Sequence, residues 1–183
     1  MRTPKLFTDD AFIVAWGKRR WVSNRYFIVK TTVEQAGKLV PGSNGRAGRY
    51  LRVGRANKYK LAPKAKPNVT LEKLAKLFPT PEDALIDCWP MDLFGDNSAI
   101  SLQGTKDFPY PCWVWETENG DHRAIDCRWL DPIMWAWGTE FDRVQMLDDK
   151  DPIYFTVNNE IVAAVIPYAR RRNSEITCMG QGG

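Results

Sequence analysis

The stretch DPIYFTVNNEIVAAVIPYARRR, residues 151–172, decides how the chain reads. Two runs rich in β-branched and aromatic residues flank Asn158-Asn159, a pair suited to a tight hairpin turn. Pro167 and Tyr168 follow, then Arg170, Arg171 and Arg172. Just upstream, DRVQMLDD supplies a third strand candidate, with a turn at Asp148-Asp149. The chain therefore closes in antiparallel sheet.

Working back from there, CRWLDPIMWAWG, residues 127–138, predicts a helix. Pro132 fits best in a first turn, which places the helix start near Leu130 or Asp131. Asn119-Gly120 marks a hairpin turn, and FPYPCWVWE enters a strand at Trp113. DALIDCW and SAISLQG are short strand candidates. TLEKLAKLF, residues 70–78, predicts another helix, with Thr70 as cap and Leu71, Leu74, Leu77 and Phe78 on one face. At the front, AFIVAWGKRRWVSNRYFIVKTTV reads as a β meander broken at Gly17 and at Ser23-Asn24. Residues 37–48 combine Gly and Pro as a loop, and a short strand with extended chain follows. The pattern of helix followed by antiparallel strands occurs twice and suggests two similar half-units. The fold class is α+β, an antiparallel sheet with two helices. Residues 1–66 form a basic β-rich N-terminal region, 67–170 an α+β domain and 171–183 a tail.

With 183 residues, 44% hydrophobic and 12% aromatic, the chain can bury a real core. No run of about 18 apolar residues spans a bilayer. Two Asp interrupt the apolar part of the N-terminus, so the chain reads as soluble and cytoplasmic. Cys88, Cys112, Cys127 and Cys178 form no C-x-x-C pair, and His122 is the one histidine. Reduced, mostly buried thiols fit better than a zinc site. No metal or cofactor is expected.

Enzyme signatures are missing. There is no phosphate-binding G-x-x-x-x-G-K-[ST] loop and no G-x-S-x-G. GSNGRAG spaces its glycines by three, which is not a dinucleotide fingerprint. His122 sits beside a turn and reads as a surface residue. The chain is read as non-enzymatic.

Charge is the informative signal. Residues 1–66 carry 16 Lys/Arg against 3 Asp/Glu, a balance of +13; residues 67–183 carry 10 against 19, a balance of −9, which gives +4 in all. Such asymmetry points to an acidic partner for the N-terminal part, with nucleic acid the commonest. Lys18, Arg19 and Arg20 lie between Trp16 and Trp21, and Arg25 precedes Tyr26. Arg46, Arg49, Arg52 and Arg55 recur every third residue and lead to Lys58 and Lys60. In extended chain, side chains three apart alternate sides, so one strand face cannot hold all four arginines. These ten cations are the candidate phosphate-binding residues, with interleaved aromatics able to stack on bases. A solvated charged surface is the plainer reading of the same residues.

Three segments together resemble the closing half-domain of bacterial-type DNA sliding clamps: IDCRWLDPIMWAWG, DRVQMLDDKDPIYF and EIVAAVIPYAR. Trp129-Leu130 take the aromatic-Leu place that opens the last helix. Asp151-Pro152-Ile153 take the strand-opening place, and Ile166-Pro167-Tyr168-Ala169-Arg170 the closing one, with Ile for Met and one extra residue before Arg. TLEKLAKLF is similar to the helix that opens a clamp domain, LQGTKDFPYP to a clamp loop, and ANKYKLA to the segment ending the preceding domain. The likeness is concentrated in the final 45 or so residues. It implies a reduced clamp-like module, of the kind a phage or plasmid carries, since a clamp subunit has three such domains. It also implies a role beside DNA in replication. Clamps meet DNA with basic helices, whereas the basic residues here fall mostly in the first 66.

The expected function is non-enzymatic nucleic-acid association through the basic N-terminal region, with DNA ahead of RNA, no membrane partner, and self-association left open. The alternative is a protein-binding inhibitor or adaptor that docks on a nucleic-acid machine. Surface clustering of Trp113, Trp115, Trp135 and Trp137 would favour that alternative.

Overall fold

A computed structural model describes residues 2–63, 76, 78–80, 83, 85–90, 112–120, 122–147 and 152–167. The chain opens with a three-stranded meander, β1 (Asp10–Trp16), β2 (Arg19–Ser23) and β3 (Phe27–Thr31), then helix α1 (Val33–Leu39) and a hairpin of β4 (Gly48–Arg52) and β5 (Tyr59–Leu61). A second meander follows, β6 (Leu85–Pro90), β7 (Cys112–Thr117) and β8 (His122–Asp126), then α2 (Cys127–Trp137). A third meander ends the described chain: β9 (Arg143–Leu147), β10 (Ile153–Val157) and β11 (Glu160–Val165).

Eleven strands among the described residues form one sheet in the order β5-β4-β1-β2-β3-β11-β10-β9-β6-β7-β8. Every neighbouring pair is antiparallel. The fold is α+β. It is built from two halves of one plan. In each, a three-stranded meander leads to a helix, and the strand after the helix returns to pair with the first strand of that meander, β4 with β1 and β9 with β6. The halves join where β3 pairs with β11.

Alternation sorts the side chains. Ala11, Ile13, Val22, Val29, Tyr50, Tyr59, Phe155 and Ala163 face the helices and share a core with Ala36, Leu39, Trp129, Leu130 and Ile133. Val14, Trp21, Ile28, Tyr154 and Ala164 face the other way and form a smaller cluster, with Phe78 against it. Both helices therefore lie on one side of the sheet. They touch there, with Gln35 Nε2 donating to the Ala136 carbonyl at 3.3 Å.

Two helices were expected, and the described residues contain two, but not the same pair. The one expected over residues 70–78 lies almost wholly outside the described residues, as do the strand candidate SAISLQG, the turn at Asp148-Asp149 and the arginines at 170–172. The loop expected from residue 37 is instead preceded by α1. Thr32 caps it in a capping box with Gln35, at 3.1 Å and 2.9 Å. Gly37 interrupts the helical pattern for a packing reason: a Cβ there would press on the Gly45 and Asn44 backbone at 3.2–3.5 Å.

α2 starts earlier than expected, at Cys127 rather than near Leu130. Asp126 caps it, its Oδ1 accepting from the Arg128 amide at 2.9 Å. Pro132 thus falls inside the helix, where it has no backbone N–H to donate. The earlier start lets Trp129 and Leu130 be buried, with Trp129 stacked on Tyr26 at 4.6 Å. No helix among the described residues is long and apolar enough to cross a membrane.

Candidate nucleic-acid interface

The sheet has two rims, where strands turn. On one rim, Trp16 of β1 pairs with Arg19 of β2, and Gly17 takes the positive φ (53°) that the tight turn between them needs. Because β4 runs antiparallel to β1, with Gly48 opposite Ile13, β4 begins at this same rim. Arg46 is thereby brought to the rim that carries Lys18 and Arg19, across more than 25 residues of chain. Arg20 is the clasp. Its Nε donates to the Gly45 carbonyl at 2.9 Å, and one Nη to the Arg19 carbonyl at 2.8 Å and the Gly17 carbonyl at 3.4 Å.

Gly45 has φ +69°, and a Cβ on it would collide with the Val33 carbonyl, so only glycine fits the turn that presents Arg46. Lys18, Arg19 and Arg46 are exposed, and none has an ion-pair partner among the described residues. Trp16 is 44% exposed beside them and meets Trp21 edge-on, with ring centroids 6.3 Å apart.

The other cations lie elsewhere. Arg49 and Arg52 fall on opposite faces of β4, as strand geometry requires, since Tyr50 between them is buried on the helix side. Arg49 and Arg25 share one carboxylate oxygen of Asp10, at 3.2 Å and 2.7 Å, and both guanidinium groups lie over the Phe12 ring. These two are committed to structure. Arg52 donates from Nε to the Gly54 carbonyl at 3.2 Å, and exposed Arg55 and Lys58 occupy the turn that follows. That turn is at the opposite rim, about 20 Å away along a seven-residue strand. Lys60 stands opposite Leu51, on the Arg49 face.

The ten candidate residues therefore divide. Lys18, Arg19 and Arg46 lie on one rim, where Arg20 ties their two segments together through backbone carbonyls. Arg52, Arg55 and Lys58 form a second group at the far rim. Arg25 and Arg49 are internal ion pairs, and Lys60 lies between the rims.

A carboxylate lies near the first rim. Glu160, in the turn region of β10–β11, accepts from the Lys30 ammonium at 2.8 Å. That hydrogen bond, with the Lys30 charge and a smaller contribution from Arg19, holds the Glu160 carboxyl below the usual range. The helix layer is not a basic face. Lys38 pairs with Glu34 at 2.6 Å, and Arg128 is held by Asp126 at 2.7 Å.

The four tryptophans singled out for a protein-docking role pack inward. Trp115 is 6% exposed, and Trp113, Trp135 and Trp137 are partly buried against the main core. Trp137 Nε1 also donates to the Lys30 carbonyl at 2.6 Å. No group of three or more His, Cys, Asp or Glu among the described residues is placed to hold a metal ion. Burial, then the charge of Asp87, pushes the Cys88 thiol up to about 12.

Compared with known proteins, the chain matches no family model, no curated protein and no solved structure.

Proposed function

We propose that the protein is a non-enzymatic, nucleic-acid-associated module that holds phosphate backbone on the rim formed by Lys18, Arg19 and Arg46. The observation that carries this reading is the presence of three exposed cations, from two segments tied together by Arg20, on one rim that also carries the half-exposed ring of Trp16. Cations without carboxylate partners are available to displace counterions from phosphates, which makes affinity fall with salt. An exposed indole among them offers a stacking surface to an unpaired base. DNA is the expected target ahead of RNA.

A clamp-like organisation is part of the proposal. It is supported by the two halves of matching strand order and by two helices on one side of a continuous sheet. The chain departs from the clamp pattern in where charge sits. Here the rim, and not the helix layer, would meet nucleic acid. The adaptor reading gains nothing from Trp113, Trp115, Trp135 and Trp137, which pack against the core.

The test is a titration of the purified protein against labelled single- and double-stranded DNA and RNA at two salt concentrations. Binding that weakens steeply with salt is expected, and its absence at low salt would remove the proposal.

A further inference from the structure

The rim opposite the Gly17 turn is built differently. β1 and β3 begin there, and β2, β4 and β11 end there. The N-terminal segment crosses it. The Leu6 carbonyl accepts from Asn24 Nδ2, in the β2–β3 turn, at 3.3 Å. The Thr8 carbonyl accepts from the Tyr59 hydroxyl, at the start of β5, at 3.1 Å. Phe7 is pinned between these two bonds, with φ +58° and its side chain half-exposed. A bulky residue in the left-handed region is strained and persists only where its surroundings over-determine it. An aromatic ring held rigid at the surface spares a partner the cost of ordering an anchor.

Two more half-exposed apolar side chains stand on this rim. Tyr26 lies flat on Trp129, with ring centroids 4.6 Å apart. The Ile166 amide donates to the Tyr26 carbonyl at 2.8 Å. In the other direction from Phe7 the rim turns basic. Arg52 ends β4, and exposed Arg55 and Lys58 occupy the turn into β5. None of these three has an ion-pair partner among the described residues. Single exposed apolar residues mean little, but apolar residues from three segments with a cationic border have the anatomy of a docking surface.

We propose that this rim docks an acidic segment of a protein partner. Its bulky apolar side chains meet Phe7, Tyr26 and Ile166, and its carboxylates meet Arg52, Arg55 and Lys58. From β11 to β4 the rim crosses four strand spacings, through β3, β2 and β1. That is about 19 Å, which an extended peptide covers with about six residues.

Nucleic acid fits this rim less well. β1 lies between β4 and β2, and Asp9 at its start is exposed, its carbonyl accepting from the Arg52 amide at 2.7 Å. A phosphate backbone carries a charge at every nucleotide and would meet that carboxylate. A peptide can set a neutral side chain there. Ile166 offers no ring to a base, and Trp129 already covers one face of Tyr26. The docking surface goes beyond the phosphate-binding reading and does not depend on it.

The experiment selects random ten-residue peptides, displayed on phage, against the purified full chain. Enriched sequences are expected to combine Asp or Glu with Phe, Leu, Ile or Trp. The most enriched peptide is then synthesised, labelled and titrated by anisotropy. Phe7→Gly removes the ring and the strain together. It is expected to weaken peptide binding roughly 10- to 30-fold without lowering the urea unfolding midpoint. Arg55→Glu combined with Lys58→Glu should weaken peptide binding at least as much, because like charges then face each other. Enrichment of no sequence, or of neutral or basic ones only, would overturn the proposal. So would unchanged peptide affinity in Phe7→Gly or in the charge-reversed variant. Nucleic-acid binding weakened as strongly as peptide binding by the charge reversal would assign this rim to phosphate, and would equally overturn it.

Discussion

Arg20 Nε and the Gly45 carbonyl meet at 2.9 Å across 25 residues of sequence. The contact fastens the start of β2 to the turn ahead of β4, so that cations from separate segments share a rim. Arg20 is therefore a structural arginine inside a basic cluster. Lysine in its place keeps the charge but loses the fork that reaches three carbonyls. Arg20→Lys is expected to cost about 1–2 kcal/mol of stability, read from urea unfolding midpoints. An unchanged midpoint would mean the clasp contributes nothing.

Asn24 is fully buried and organises the β2–β3 turn. Its Oδ1 accepts from the amides of Tyr26 at 3.0 Å and Phe27 at 3.2 Å, and its Nδ2 donates to the Leu6 carbonyl at 3.3 Å. Asn24→Ala orphans three backbone groups, two of them buried, and is expected to destabilise by about 2–3 kcal/mol. A loss under about 0.5 kcal/mol, the size of an ordinary surface substitution, would contradict this role.

Arg49 illustrates why charge alone misplaces a binding site. Its guanidinium shares Asp10 with Arg25 and lies over Phe12, with its side chain 27% exposed. Arg49→Ala is expected to lower stability by about 1–2 kcal/mol, allowing for its partial solvation. The slope of nucleic-acid affinity against salt should stay unchanged. A shallower slope with unchanged stability would place Arg49 on phosphate instead.

Cys88 is 6% exposed, and its thiol is pushed up to about 12, first by burial and then by Asp87. A raised thiol value means that the neutral form persists as pH rises toward 12, so the reactive thiolate stays scarce at pH 8. In a brief alkylation pulse at that pH, peptide mapping should find Cys127, which is half-buried, labelled ahead of Cys88. Cys88 should label only after unfolding. Equal labelling of both in the folded protein would contradict the burial.

The strand framework was legible because turn chemistry and β-rich runs agreed. Gly17, Asn24, Asn119-Gly120 and Asn158-Asn159 all lie where strands reverse, and Asn158 and Asn159 both take positive φ. α1 was missed although its signal was present: Thr32 and Gln35 have capping-box spacing. Val33 after Thr31-Thr32 looked like strand, and Gly37 looked like loop. Gly37 is there because the Gly45 turn packs on the helix. The start of α2 was misplaced by weighting Pro132 over the Asp126 cap and the burial of Trp129 and Leu130.

For the cationic site, the alternation of Arg49 and Arg52 followed from period-two geometry. Which cations meet depends on β4 returning to β1, and no local pattern carries that.

The measurement that tests the central claim most directly compares two triple variants in salt-dependent nucleic-acid titrations. Lys18, Arg19 and Arg46 become Ala in one, and Arg52, Arg55 and Lys58 in the other. Both remove three positive charges, so net charge alone predicts equal effects. The first is expected to weaken binding strongly and to reduce the salt slope by about 2–3, since each lost phosphate contact removes about 0.7–0.9. The second should retain most affinity and slope. Equal losses from both, or a larger loss from the second, would contradict a phosphate-binding rim at Lys18, Arg19 and Arg46.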